Sequence, residues 1–376
     1  MENDSKTYAN VMSPFDLGGV TLRNRIVFAP TTLGLDHDEY MAKISAIANG
    51  GAGMVIIGDV PVGKFPPQSL RTKKGFAYYQ ELTGIIHSAG AVACAQLHQS
   101  DSDIKGMLKY VPGVLSKKTT PMELRPLLTG LTGDYITKMP VKKVRKIIDQ
   151  FGSSAVLAKK AGFDVMQVHG DRMCGSFSSP LFNSRTDEFG GSLENRARFC
   201  VEAVRAVRAA VPDTPIDYKL PVRLEDPKYG SAGFTLGELA YVVPELERAG
   251  VTSFHVTLAN HASLVDTCPP RNHPYFKEEG CFLPFCDEVR KYTDLPICGV
   301  GALEHPDFVD EQIGSGRIQL AAMSRQLIAD SAWANKVAAG EADKIHYCVR
   351  CNRKCLGGMQ AHEGVHCIFD AKKQDN

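Results

Sequence analysis

The chain has almost no excess of charge. In 376 residues, 43 lysines and arginines stand against 42 aspartates and glutamates, a formal net charge of +1. Without a basic surplus there is no electrostatic footprint for a nucleic acid, and none is expected as a partner. Long hydrophobic runs are missing too. No stretch approaches the ~20 apolar residues that cross a bilayer, so no membrane association is expected. The opening residues MENDSKTYAN hold no signal-peptide core, which makes the cytoplasm the expected location. What remains, 44% hydrophobic and 23% charged, is the balance of a soluble globular protein with a large core.

Cysteine is not scarce. There are eleven, and in a cytoplasmic chain that number argues for metal or redox use over a disulfide framework. Seven are scattered between Cys94 and Cys298, and four crowd between Cys348 and Cys367.

The stretch 164–199 organises the rest: a short apolar run ends on His169, a polar loop follows, and from Leu193 the pattern turns helical, with Cys200, Val204, Val207 and Val211 on one face. The same strand–helix unit recurs. Strands are expected at RIVFAP, GMVIIGD, AVACAQLH, DVMQVHG, IDYKLPVR, SFHVTLA, PICGVG and IQLAAMSR, with amphipathic stretches between them, the first helix over 40–49. Continuous apolar strands alternating with helices imply a parallel sheet, and eight alternations imply an α/β fold of the (β/α)8 TIM-barrel kind. Length would allow two domains, but single barrels commonly exceed ~250 residues. The expected division is a barrel over 1–340 and a cysteine segment over 341–376 packed on it. Insertions at 99–140 and 259–280 both follow strands, so both belong to the face where barrel active sites are built.

AGFDVMQVHG over 161–170, Ser179-Pro180 and N-x-RTDEFGGSLENRARF from Asn183 resemble the Old Yellow Enzyme family of flavin ene-reductases, in the branch that holds 2,4-dienoyl-CoA, bile-acid and steroid reductases. The resemblance spans 14–367. It implies FMN bound without a covalent bond across the barrel mouth. Ala29, Pro30, Thr31 and Thr32 match the segment along the flavin ring, with Thr32 near O4. Gly58 matches the small residue under the ring and Gln96 the reader of its pyrimidine edge. Lys219 stands where the family has an arginine near N1, and a cation there favours the reduced, anionic flavin. Gly301, Ala302, Ser324 and Arg325, after the seventh and eighth strands, match the phosphate loops.

The chemistry so implied is hydride transfer to the β-carbon of a small-molecule α,β-unsaturated carbonyl compound, a steroid-like enone or an enoate. Donors over the flavin stabilise charge on the substrate oxygen, and a general acid completes the reduction. At the reacting groups the chain departs from the family pattern twice. His169 is present, but Arg172 occupies the second donor position and Cys174 the place of the tyrosine acid. Asp171, Tyr110, Tyr275 and water are the other candidate proton sources.

Cys348, Cys351, Cys355 and Cys367 form C-x2-C-x3-C-x11-C, which by ligand softness suits zinc or an iron–sulfur cluster. The resemblance implies a 4Fe-4S cluster and anaerobic chemistry. In that branch a long FAD- and NAD(P)-binding half follows, and its two dinucleotide fingerprints are not found here. The expected electron source is therefore NAD(P)H directly, a separate electron-donor subunit, or an FAD/NAD(P) domain of a longer protein, with a homo-oligomer among the allowed assemblies. Two other readings stay open. One is an amine dehydrogenase of the trimethylamine type, which attaches its flavin to a cysteine after the first strand, where Thr31 and Thr32 stand. The other is a non-catalytic barrel with a structural zinc.

Overall fold

The computed structural model describes residues 7–64, 68–102, 112–113, 116, 131–259 and 263–370. Eight strands form the centre: β1 Ile26–Phe28, β2 Met54–Pro61, β3 Val92–His98, β4 Val165–His169, β5 Ile216–Arg223, β6 Ser253–Leu258, β7 Ile297–Val300 and β8 Leu320–Met323. Each pairs in parallel with the next, and pairing of β8 with β1 closes the ring. All eight lie where the apolar runs place them. The outer ring consists of α1 His37–Asn49, α2 Lys73–Ser88, α3 Val141–Lys160, α4 Leu193–Ala210, α5 Leu239–Ala249, α6 Leu283–Arg290, α7 Pro306–Gly314 and α8 Trp333–Ala338. The fold is a (β/α)8 TIM barrel.

Local chemistry explains the helix ends. Ser192 caps α4 by accepting from the Asn195 amide, and the expected face, Cys200, Val204, Val207 and Val211, is buried. Phe199 on the same helix stacks on Phe177 with ring centroids 4.6 Å apart, and burying such a ring stabilises the fold by ~2–3 kcal/mol. The first helix starts at His37 rather than near residue 40, because the Asp36 carboxylate accepts from the Glu39 amide and begins the helix earlier.

One element escaped the sequence reading. Phe15–Leu17 and Val20–Leu22 form an antiparallel hairpin across Gly18 and Gly19, both at positive φ. Its Leu17 and Leu22 join Val27, Met54, Ile56, Cys94, Val165, Cys298, Leu320 and Ala322 in a separate buried cluster. The hairpin thereby seals the N-terminal end of the barrel.

The long motif from Asn183 acts as a clamp. Asn183 Nδ2 donates to the Phe177 and Phe189 carbonyls, and Arg185 Nη1 donates to the Ile136 and Met139 carbonyls at 2.7 and 2.6 Å. These bonds tie the loop after β4 to the segment before α3. Beyond α8, Ile345 and Val365 belong to the same buried cluster as the barrel, and the Val365 amide donates to Leu33 O at 2.7 Å. The cysteine segment thus packs near the loop after β1. No helix among the described residues is long and apolar enough to cross a membrane.

Candidate active site

Strands β3 and β4 both end in Gln-x-His. A strand's two-residue period turns Gln96 and His98, and likewise Gln167 and His169, to one face. Register pairs Gln96 with Gln167, Gln167 with Asp217, and Asp217 with Ser253. One step nearer the C-terminal ends it pairs His169 with Lys219 and Lys219 with His255. Above the apolar floor the barrel interior therefore carries two polar layers.

The lower layer is hydrogen-bonded throughout. Gln96 Nε2 donates to Gln167 Oε1 at 2.6 Å, Gln167 Nε2 to Asp217 Oδ2 at 2.5 Å, and Ser253 Oγ to Asp217 Oδ1 at 2.6 Å. Burial pushes the Asp217 carboxyl up to about 6, against the two hydrogen bonds and the Lys219 charge that favour ionisation. Burial lowers Lys219, and burial and then Lys219 push His255 down to about 3. Burial is the first cause of all three shifts.

Asp59 reaches the upper layer by an irregularity. The register between β2 and β3 shifts between Ile57 and Val60, and Asp59 adopts φ 53°. Its amide donates to Gln96 Oε1 at 3.3 Å, and its Oδ2 accepts from Thr32 Oγ1 at 2.6 Å. The other oxygen lies 3.5 Å from His98 Nδ1 and 3.8 Å from His169 Nδ1, and the two imidazole nitrogens are 3.0 Å apart. Burial opposes the charge on Asp59, but His98, His169, Thr32 and Arg172 together hold it below the ordinary carboxylate range. Burial lowers both histidines. Arg172 precedes the short helix Met173–Ser178; Asp101, Asp171 and Asp59 outweigh its burial and hold it above its ordinary value. Asp59, His98, Gln167, Asp217 and His255 were not picked from sequence, although the repeated Gln-x-His offered a signal for two of them, His98 and Gln167.

The expected flavin-side residues converge on this mouth. Thr31 Oγ1 donates to Ser324 Oγ at 2.8 Å, which joins the loop after β1 to the loop after β8. Gly58 lies against Pro30 and Thr31, where an added Cβ would stand 3.3 Å from Thr31 N. Gly301, Ala302, Ser324 and Arg325 line a single cavity with Met323 and Cys268. Gly301 and Ala302 both take positive φ, which turns the chain sharply after β7. Arg325 also lines the cysteine cavity beside it, and its Nη1 donates to Cys268 O, Pro269 O and Asn352 Oδ1.

Cys174 does not join them. It is fully buried in the main core, and burial together with nearby Cys200 raises its thiol well above the ordinary value. Tyr275 is half exposed and packs edge-on against Phe276, with Tyr229 alongside. Asp171 is buried beside Arg172. Tyr110 lies outside the described residues.

Cys348, Cys351, Cys355 and Cys367 line one cavity with Asn352, His366 and Phe369. Among the described residues no three of these thiols lie within 4.8 Å of one another. Four thiolates around one zinc at ~2.3 Å would crowd to about 3.8 Å.

Residues 10–344 match the model of the NADH:flavin oxidoreductase / NADH oxidase family. The chain belongs to that family. It is an FMN-dependent oxidoreductase of the Old Yellow Enzyme kind. A protein of Clostridium symbiosum named bilirubin reductase is 58% identical over 370 residues, covering 98% of this chain and 99% of that one. A second bilirubin reductase, from Mediterraneibacter gnavus, is 30% identical over 96% of this chain, which spans only 57% of that relative's length. Among solved structures, a complex of 2-naphthoyl-CoA reductase superposes with a TM-score of 0.77 at 22% identity, over 96% of this chain and 57% of that one, a likeness of fold.

Proposed function

We propose that the chain is an ene-reductase that delivers hydride from reduced FMN to the activated C=C bond of an α,β-unsaturated carbonyl compound, and that this compound is a conjugated tetrapyrrole of the bilirubin kind. The observation that carries the reaction class is the upper polar layer. His169 and Lys219 are paired in register, with Arg172 one short loop away, so hydrogen-bond donors and positive charge gather at the barrel mouth. Donors fixed there stabilise negative charge developing on a carbonyl oxygen. The tetrapyrrole is supported by the relative at 58% identity, and its lactam carbonyls activate neighbouring double bonds as an enone carbonyl does.

The residues fit FMN. Gly58 packs so closely on Pro30 and Thr31 that only a residue without a side chain fits there, Lys219 brings a buried cation to the mouth, and Gly301 and Ala302, both at positive φ, line one cavity with Ser324 and Arg325 after the last two strands. Bound there, FMN supplies the hydride. His169 and Arg172 orient and polarise the substrate carbonyl, Lys219 stabilises negative charge near the ring, and Asp171 or a water delivers the proton to the α-carbon. Cys174, inside the core, anchors the short helix that follows Arg172. The four cysteines line one cavity with Arg325, and their soft thiolates would hold a 4Fe-4S cluster there.

The test is anaerobic. Purified protein with measured FMN, iron and sulfide is reduced with NADH and mixed with bilirubin, a cinnamate and a steroid enone. Reoxidation of the flavin by bilirubin alone, with loss of the tetrapyrrole's visible band, is the expected result. A flavin that no alkene reoxidises would end this reading, and preference for cinnamate or the steroid would end the tetrapyrrole assignment.

A further inference from the structure

We propose that Asp59 and His98 are positioning residues that hold His169 with its proton on Nε2, so that His169 acts as a hydrogen-bond donor into the barrel mouth. The proposal rests on the reading of His169 as the group that polarises the substrate oxygen, and it supplies what fixes that group's proton.

The argument begins with the 3.0 Å between His98 Nδ1 and His169 Nδ1. Two ring nitrogens at this distance share one hydrogen, so one ring donates from Nδ1 and the other accepts there. Each neutral imidazole has a single N–H, and the two rings must therefore be opposite tautomers. Asp59 decides which is which. Its Oδ1 is nearer His98 Nδ1, at 3.5 Å, than His169 Nδ1, at 3.8 Å. A hydrogen on His98 Nδ1 faces both the carboxylate and the His169 lone pair. His169 then carries its own hydrogen on Nε2.

The carboxylate cannot easily turn away. Thr32 Oγ1 donates to its other oxygen at 2.6 Å, its amide is held by Gln96, and its backbone sits at φ 53° after the shift in strand register. Among the charged neighbours, Lys219 and Arg172 outnumber Asp59 in disfavouring a second proton on His169, whereas on His98 Asp59, Asp101 and Asp171 oppose burial and Arg172. Removing the Asp59 charge should free the shared proton to occupy either ring.

The same three side chains, whose ligand atoms lie within 4.8 Å of one another, could instead bind a divalent cation. Both histidines would then turn Nδ1 lone pairs to the ion and both would be Nε2–H tautomers. Tautomer state therefore separates the two arrangements.

The experiment uses FMN-loaded holoprotein labelled with 15N-histidine. Long-range 1H–15N spectra are assigned by the signals lost in His98→Asn and His169→Asn. The expected result is His98 as Nδ1–H and His169 as Nε2–H. In Asp59→Asn the His169 signals should move toward a mixture, and reoxidation of the reduced enzyme by substrate should slow about 10²-fold. Asp59→Glu should recover part of both. Thr32→Val, which removes the contact to Oδ2 together with the expected flavin-side hydroxyl, gives the same tautomer shift in weaker form should Asp59→Asn not fold, and is read by the His169 signals alone. Both rings as Nε2–H, with one equivalent of divalent metal lost on Asp59→Asn, would overturn the proposal, as would His169 as Nδ1–H. Opposite tautomers in a protein whose His169→Ala variant reoxidises at the parental rate would uphold the proton arrangement and sink the substrate role instead.

Discussion

Asp217→Asn should make the protein more stable at neutral pH, although it removes a hydrogen-bonded group from the barrel core. The native carboxyl is raised to about 6 from a reference of 3.8, chiefly because burial disfavours its charge. Between those values the native state holds a proton that the unfolded chain has released. Stability is therefore fully present below the unfolded pKa and declines as pH rises through the folded one. About two pKa units at 1.36 kcal/mol each put the penalty above pH 7 at about 3 kcal/mol. The amide removes it and keeps both contacts. Its oxygen accepts from Gln167 Nε2, its nitrogen faces Ser253 Oγ, and a hydroxyl can accept as readily as donate. Denaturation midpoints of parent and variant holoprotein, measured anaerobically from pH 4 to 8, provide the check. The parent should lose stability across that range relative to the variant, and the gap should level off above pH 7. Parallel curves would refute the reasoning, because they would mean that Asp217 titrates no differently in the folded state.

Three other predictions concern the mouth and the cysteines. His169→Ala and Arg172→Ala should each slow reoxidation by substrate by about 10²–10³-fold, and Arg172→Lys should restore little, since a point charge does not reproduce the planar fork; stopped-flow traces of pre-reduced enzyme decide. Cys351→Ser should lower iron content and remove broad visible absorbance while circular dichroism still shows a folded barrel; equal iron in mutant and parent would contradict a cluster at this position. Cys174→Ala should cost roughly 1 kcal/mol of packing and leave the pH profile of reoxidation unchanged, because the thiol lies inside the core.

Most of the scaffold was legible because its strands are buried on both faces. A run such as Val-Ala-Cys-Ala-Gln-Leu-His stands out against amphipathic helices with capping residues before them. The hairpin over 15–22 was not seen, though Gly18-Gly19 between two short apolar segments is a recognisable turn. The site was half legible. His169, Arg172, Gly58 and the loops after β7 and β8 sit on local motifs. Gln167, Asp217 and His255 are ordinary strand residues until register stacks them. Asp59 could not have been placed at all, since its position depends on a left-handed backbone and a register shift that no residue type announces.

The sealing hairpin has a further consequence. With Leu17 and Leu22 closing the far end, the barrel is a cup rather than a tube, and its open side is the rim. A flat ring system laid across that rim becomes a stopper for the Gln96–Gln167–Asp217 layer beneath it. The rate at which Asp217 trades its proton with solvent should then fall when the ring binds and recover when it leaves. The Asp217 carboxyl would thus serve as an internal clock for how often the cup is open.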